Sequence, residues 1–278
     1  MSYVKIGDFL ISSADKRIML TSVSDSGSGN VARKETSFPG YDGNEISDIT
    51  YTSRAIMVHG TLFGDSVEDV EELKMKLRYA CNPLEKTEIY YHNGAKEYYA
   101  EAYPSSLPTF SKLNNHTYQF IVYLDLNAFW WLSPSEIRKG VFVREDNIKG
   151  QLSFPQAFTV RHQGAEIYNN GAVATPLEID ISVLSDFKES LIIRNTTYDL
   201  SVVIEDYSFT SGEIISLNMG VNDEYTIKSS LNGNIVKYLT EDSEFFRLEK
   251  GYNLIECGND TALALSIVLR YRERFPGV

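Results

Sequence analysis

The chain has 278 residues, 43% of them hydrophobic and 23% charged, which excludes a disordered chain and leaves room for two ordinary domains. Its net charge of −12 is spread over both halves: 12 basic against 17 acidic residues before position 136, and 14 against 21 after it. Neither half carries the Lys/Arg cluster that a phosphate backbone demands, so nucleic-acid binding is not expected.

The opening "MSYVKIGDFLISSADKR" lacks a basic start followed by an apolar core, so it does not read as a signal peptide. No run of 18 apolar residues exists, and no membrane span is expected. Cys81 and Cys257, one in each half, are expected as reduced, buried thiols rather than a disulfide.

In chain order, "YTSRAIMVHGTLFG" predicts a long strand with Ile56, Val58 and Leu62 on one face. "DSVEDVEELKMKLRYACNPLEK" predicts a helix over about 66–80. Ser66 caps it with Asp69 three residues on, and Asn82-Pro83 stops it. Val67, Val70, Leu73, Leu77 and Ala80 form its apolar stripe, expected against the domain's own sheet, with Glu72 and Lys76 on the wet face. "TEIYYHNGAKEYYAEAY" predicts a hairpin turning at Asn93-Gly94 as a type I′ pair. In "TYQFIVYLDLNAF", Tyr118, Phe120, Val122, Leu124 and Leu126 share one face.

That strand runs into Phe129, Trp130 and Trp131, then stops at Ser133-Pro134. Large aromatics at such a place fill the space between sheet and linker. They are expected in core or interdomain packing; a ligand platform and an intersubunit contact are the other roles left open.

After Pro134 the texture changes. Residues 135–170 are weakly patterned. Then "PLEIDISVL", "SLIIRNTT", "LSVVIEDY", "GEIISLNM", "EYTIKSSLNG", "GYNLIECG" and "TALALSIVLRYRERF" follow as short strands, with Asn232-Gly233 as a hairpin turn. The fold class is therefore mainly β: an antiparallel domain with one helix over residues 1–134, and a β-sandwich over 135–278.

No catalytic, cofactor-binding or metal motif emerges. His59, His92, His116 and His162 stand in no ligand spacing, and no nucleophile elbow, P-loop or dinucleotide fingerprint is present. The glycine-rich Ser24–Asn30 reads as a loop. The pairs Glu205-Asp206 and Glu241-Asp242 read as solvated turn edges, since neighbouring carboxylates on a strand point apart. Gly40–Asp48 has calcium-loop composition without the closing Glu. The triplets at Asn115, Asn195 and Asn259 read as polar turns.

The first half resembles the distal tail protein family of long, non-contractile-tailed phages. The resemblance rests on the order of "GNEISDITYTSRAIMVHGTLFG", "SVEDVEELKMKLRYACNP", "TEIYY", "YYAEAYPSSLPTF" and "YQFIVYLDLNAFW", with Ser53-Arg54, Gly60–Gly64, Leu73 to Leu77 and Asn82-Pro83 in the family's places. Asn169–Ile181, Tyr238–Gly258 and the closing "SIVLRYRERFPGV" are similar to strands of the family's galectin-like C-terminal sandwich. The resemblance implies a homo-hexameric ring at the distal end of the tail tube, made by the N-terminal domains, with the sandwiches projecting outward. It implies as partners a tail tube protein, a tail-tip or tail-associated lysin protein and a receptor-binding protein. The genome would pass through the lumen, and assembly would take place in the host cytoplasm. No cofactor and no enzymatic activity are implied. A carbohydrate-binding module for host glycans and a glycoside hydrolase stand as the readings from other classes.

Overall fold

The computed structural model describes residues 1–25, 31–38, 42–51, 54–147, 159–258 and 265–277. Most of the glycine-rich stretch, Gly40, Ser53 and Asn259 fall outside the described residues. The chain divides into two compact units: residues 1–134 together with 275 onward, and Ser135–Arg274. The expected single division at 134 is thus modified, because the chain re-enters the first unit at Phe275.

The first unit is a β-barrel. Its strands run Glu97–Pro104, Thr87–Asn93, Ser2–Ile6, Phe9–Ser12, Ile18–Asp25, Ala55–Phe63 and Thr117–Leu126. The last closes back on the first through Leu124↔Pro104, Asp125↔Tyr103 and Leu126↔Ala102. The pairing is antiparallel except at Ser12↔Met19. Alternation does what the sequence asks: Ile56, Val58, Leu62, Phe120, Val122 and Leu124 are all buried in one cluster. At Gly60 a side chain is forbidden, since a Cβ would lie 2.3 Å from Phe120 Cζ and 2.8 Å from the Met19 carbonyl oxygen.

The helix is Val67–Ala80. Ser66 Oγ accepts from the Asp69 amide at 3.1 Å. The Asp69 carboxylate accepts from the Asp65 amide at 2.9 Å and from Arg17, and these partners hold its pKa below the ordinary range. Two acids in the first turn suit the helix dipole.

The hairpin Thr87–Asn93/Glu97–Pro104 does not turn as a type I′ pair. Its loop spans three residues, Gly94 to Lys96: Gly94 alone takes positive φ (+99°), and Asn93 Oδ1 accepts from the amides of Ala95 and Lys96. The two-residue turn with both φ positive lies instead at Asn222 and Asp223, +55° and +58°, between Ile214–Val221 and Glu224–Ser229. Asn and Asp are, after glycine, the residues that tolerate left-handed backbone best.

The second unit is a sandwich of two antiparallel layers. One holds Leu265–Tyr271, Leu177–Val183, Ile214–Val221, Glu224–Ser229 and Gly233–Asn234. The other holds Thr159–Asn169, Gly251–Gly258, Leu191–Asn195 and Leu200–Ile204. The long strand Ile137–Asn147 serves both: its first half pairs with Leu265–Tyr271 and its second with Thr159–Asn169. Ile179, Ile181, Leu217 and Leu269 of one layer pack in one core with Ile167, Ile193, Ile204 and Ile255 of the other.

Candidate assembly surfaces

The helix presents Val70, Leu73 and Leu77 to the barrel core, joined by Cys81. Ala80 is half-buried. Val67 is a correction: it is 49% exposed. At the period of 3.6 it sits roughly 70° from the centre of the buried stripe, in the first turn. Lys74 occupies that side instead. It is buried, its Nζ lies 3.4 Å from the Tyr118 ring centroid and donates to Glu71 at 2.6 Å. Aromatic faces accept a cation while its methylene stem packs as an apolar group. Glu72 and Lys76 pair at 2.7 Å on the solvent side. Leu77→Ala is therefore expected to destabilise the protein by about 2–5 kcal/mol. Val67→Ala should stay within about 0.5 kcal/mol. Urea unfolding of both variants checks the pair, and equal losses would place Val67 back on the stripe.

The three aromatics separate. Trp131 is 0% exposed in the first domain's own core, with ring centroids 6.1 Å from Tyr91 and 6.5 Å from Tyr98. It is neither a seam residue nor a ligand platform. It leaves the loop as part of a short strand, Trp131–Leu132, that pairs at Leu132↔Tyr99 and so turns its ring inward. Phe129 and Trp130 are half-exposed and meet edge to face at 5.0 Å.

Several buried polar residues are structural. Asn195 does serve a turn, its Oδ1 accepting from the Thr197 amide at 3.2 Å, but it is 0% exposed and its Nδ2 donates to Asn253 Oδ1 at 3.1 Å. Asn253 in turn donates to the carbonyls of Glu249 and Gly251 at 2.7 and 3.1 Å. Asn169 bridges the carbonyls of Val173 and Leu248, both at 3.0 Å. Buried Glu213 accepts from Tyr207, Ser229 and the Thr210 amide. Asn169, Glu213 and Asn253 each stand within two residues of a glycine, as in Gly251-x-Asn253, where a side chain has to satisfy loop backbone; Asn195 carries no such signal.

Among the described residues, no group of three His, Cys, Asp or Glu side chains is placed to hold a metal ion. His92 Nδ1 lies 3.0 Å from the Met1 carbonyl, and its ring stacks on Tyr3. Glu205, Asp206, Glu241 and Asp242 are exposed. Both thiols are free and buried, and desolvation pushes Cys81 up to about 12.

The feature least predicted by the sequence is an arm. Strands Val31–Ser37 and Asn44–Tyr51 pair only with each other, as a two-stranded sheet joined to neither large one among the described residues. Every described side chain of residues 32–38 and 42–48 is exposed, including Phe38 at 50% and Ile46 at 46%. The ribbon is laced by Asn44 to Glu35 at 2.9 Å and Ser47 to the Lys34 carbonyl at 3.2 Å.

Two family descriptions match the chain: a phage tail protein RIFT-related domain over residues 15–126, and the C-terminal domain of a siphovirus-type tail component over 170–275. Among solved structures, the Dit protein of phage SPP1, described as a paradigm of the hub adsorption apparatus in phages infecting Gram-positive hosts, superposes with a TM-score of 0.67. The two share 11% identity, over 99% of each chain. A chain of the phage P2 baseplate, in its activated conformation with calcium, gives 0.51 at 13% identity over 100% of this chain and 99% of its own. The strontium form of that baseplate gives the same figures. No curated protein matches.

Proposed function

Because the chain belongs to the distal tail protein family of siphophages, we propose that it is a structural hub at the phage tail tip, six copies closing into a ring through the barrel domain. The arm carries this reading. An isolated two-stranded ribbon is at best marginally stable in water. A ribbon that leaves Phe38 and Ile46 exposed gains its missing face from a neighbouring copy. Identical copies joined head to tail close into a ring when the rotation permits. The ring's lumen passes the genome without binding it, which suits an acidic protein. The sandwich then offers its surface to tail-tip, lysin or receptor-binding components, and the role is architectural rather than catalytic. Assembly in the host cytoplasm follows from the same reading.

Light scattering coupled to size exclusion, followed by negative-stain microscopy, tests the proposal. The expected result is a six-copy ring with a central channel. Ile46→Asp should release monomers with an unchanged far-UV spectrum. Concentration has to be varied, because a weak ring dissociates on dilution. A monomer at every concentration would reject the ring.

A second reading has one observation behind it. Tyr168 and Tyr252 stand directly opposite each other on neighbouring strands of the sandwich, and both are exposed. Paired tyrosines on a rigid sheet suit stacking of a sugar ring. Glycan binding by a monomer, abolished by Tyr168→Ala with the fold intact, would favour a carbohydrate-binding module over the hub.

A further inference from the structure

Arg54 is 1% exposed and is among the largest fully buried side chains of the protein. Its guanidinium donates to the backbone carbonyl of Pro276, 222 positions away, and to that of Phe129 at 3.3 Å. It also stacks over the Phe129 ring, 5.3 Å from the centroid. A buried guanidinium requires acceptors for its fixed fork of donors. Here two of them are main-chain oxygens, one supplied by a segment that arrives only after the whole sandwich has been traversed.

The rest of that segment is read with similar specificity. Phe275 sets its ring edge-on to Tyr98, centroids 5.3 Å apart and planes at 82°. Arg274–Phe275 adds as a strand to Trp131–Leu132. Pro276 brings a carbonyl and no amide to satisfy. A Cβ on Gly277 would come within 3.3 Å of Arg54 Nη2, so glycine keeps the approach open.

We infer that Arg54, Tyr98 and the edge of Trp131–Leu132 form a receptor for an extended Phe-Pro-Gly segment, and that docking of this chain's own Phe275-Pro276-Gly277 locks the barrel closed at that edge. The strand pair brings backbone hydrogen bonding, the Tyr98 ring selects an aromatic, and Arg54 reads the carbonyl that follows. The inference concerns the barrel's integrity and stands whether or not the barrel forms a ring.

Hydrogen exchange on the full chain tests it. In Phe275→Ala, the amides of Tyr99 and Leu132 should exchange about tenfold faster, as for a locally opened unit. Amides of Ile179 and Ile181 in the sandwich should keep their rates. Arg54→Lys keeps the charge but loses the planar fork, and should move the same amides in the same direction. Because either variant could weaken the fold generally, a peptide of sequence RERFPG is then titrated into Phe275→Ala. Restored protection at Leu132 supports a receptor. Unchanged rates at Leu132 in both variants, equal acceleration in both domains, or no recovery with saturating peptide would each overturn it.

Discussion

Trp131→Ala is expected to lower the stability of the barrel domain by about 3–5 kcal/mol, the cost of emptying a fully buried large aromatic site. The indole lies between Tyr91 and Tyr98 with no exposed surface, and the short strand it belongs to has few backbone bonds to hold it once the ring is gone. Trp130→Ala is the internal comparison. Its ring is half-exposed and set edge to face on Phe129, so its loss should cost about 0.5–1.5 kcal/mol. Calorimetry, following the barrel transition separately from that of the sandwich, reads both. Equal losses would show that Trp131 is not a core residue.

Gly60→Ala should be nearly as damaging, at about 3 kcal/mol, the upper part of the range for overpacking a core. The added methyl would overlap the edge of the Phe120 ring and also approach the Met19 carbonyl, which is fixed in a strand pair. Phe120→Leu removes the first clash and leaves the second. The double variant should therefore recover part of the loss, with a favourable coupling of about 1–2 kcal/mol in a double-mutant cycle. Simple additivity would mean that the ring and the glycine do not constrain each other, whatever the distance between them.

What was legible in the sequence follows from what is periodic. The helix announces itself through Ser66, Asp69 and the Val70–Leu73–Leu77 spacing, and the strand "YQFIVYLDL" through strict alternation; both describe a chain's relation to its immediate neighbours. Closure of the barrel depends on Leu124–Leu126 meeting Ala102–Pro104, a non-local register that no local period encodes. The burial of Lys74 is no more legible, since it depends on Tyr118, far along the chain, which provides an aromatic face for it. Residues 135–170 gave a weak pattern, yet they hold two strands, Ile137–Asn147 and Thr159–Asn169. Stretches such as "VREDN" and "RHQGAE" do not alternate in hydropathy, so backbone pairing there is invisible to a reading by side-chain period. The arm escaped notice for the same reason: "VARKETS" has strand-compatible residues and no buried face to give it a rhythm.

The strand order around Trp131–Leu132 has a consequence for how such a protein is altered. The chain leaves the barrel on that strand and returns to it on the adjacent one, Arg274–Phe275, so the sandwich enters and exits at neighbouring positions. An insertion with adjacent ends is a cassette: it can be lengthened, exchanged or excised while the host's sheet order is preserved. Cutting the gene after residue 134 would therefore be the wrong way to isolate the barrel. It would remove the outer strand and leave the buried Arg54 without the Pro276 carbonyl. A graft that replaces Ser135–Glu273 and keeps Arg274 onward retains both, and recombination between relatives at these two points would exchange the second domain while the barrel keeps its edge strand.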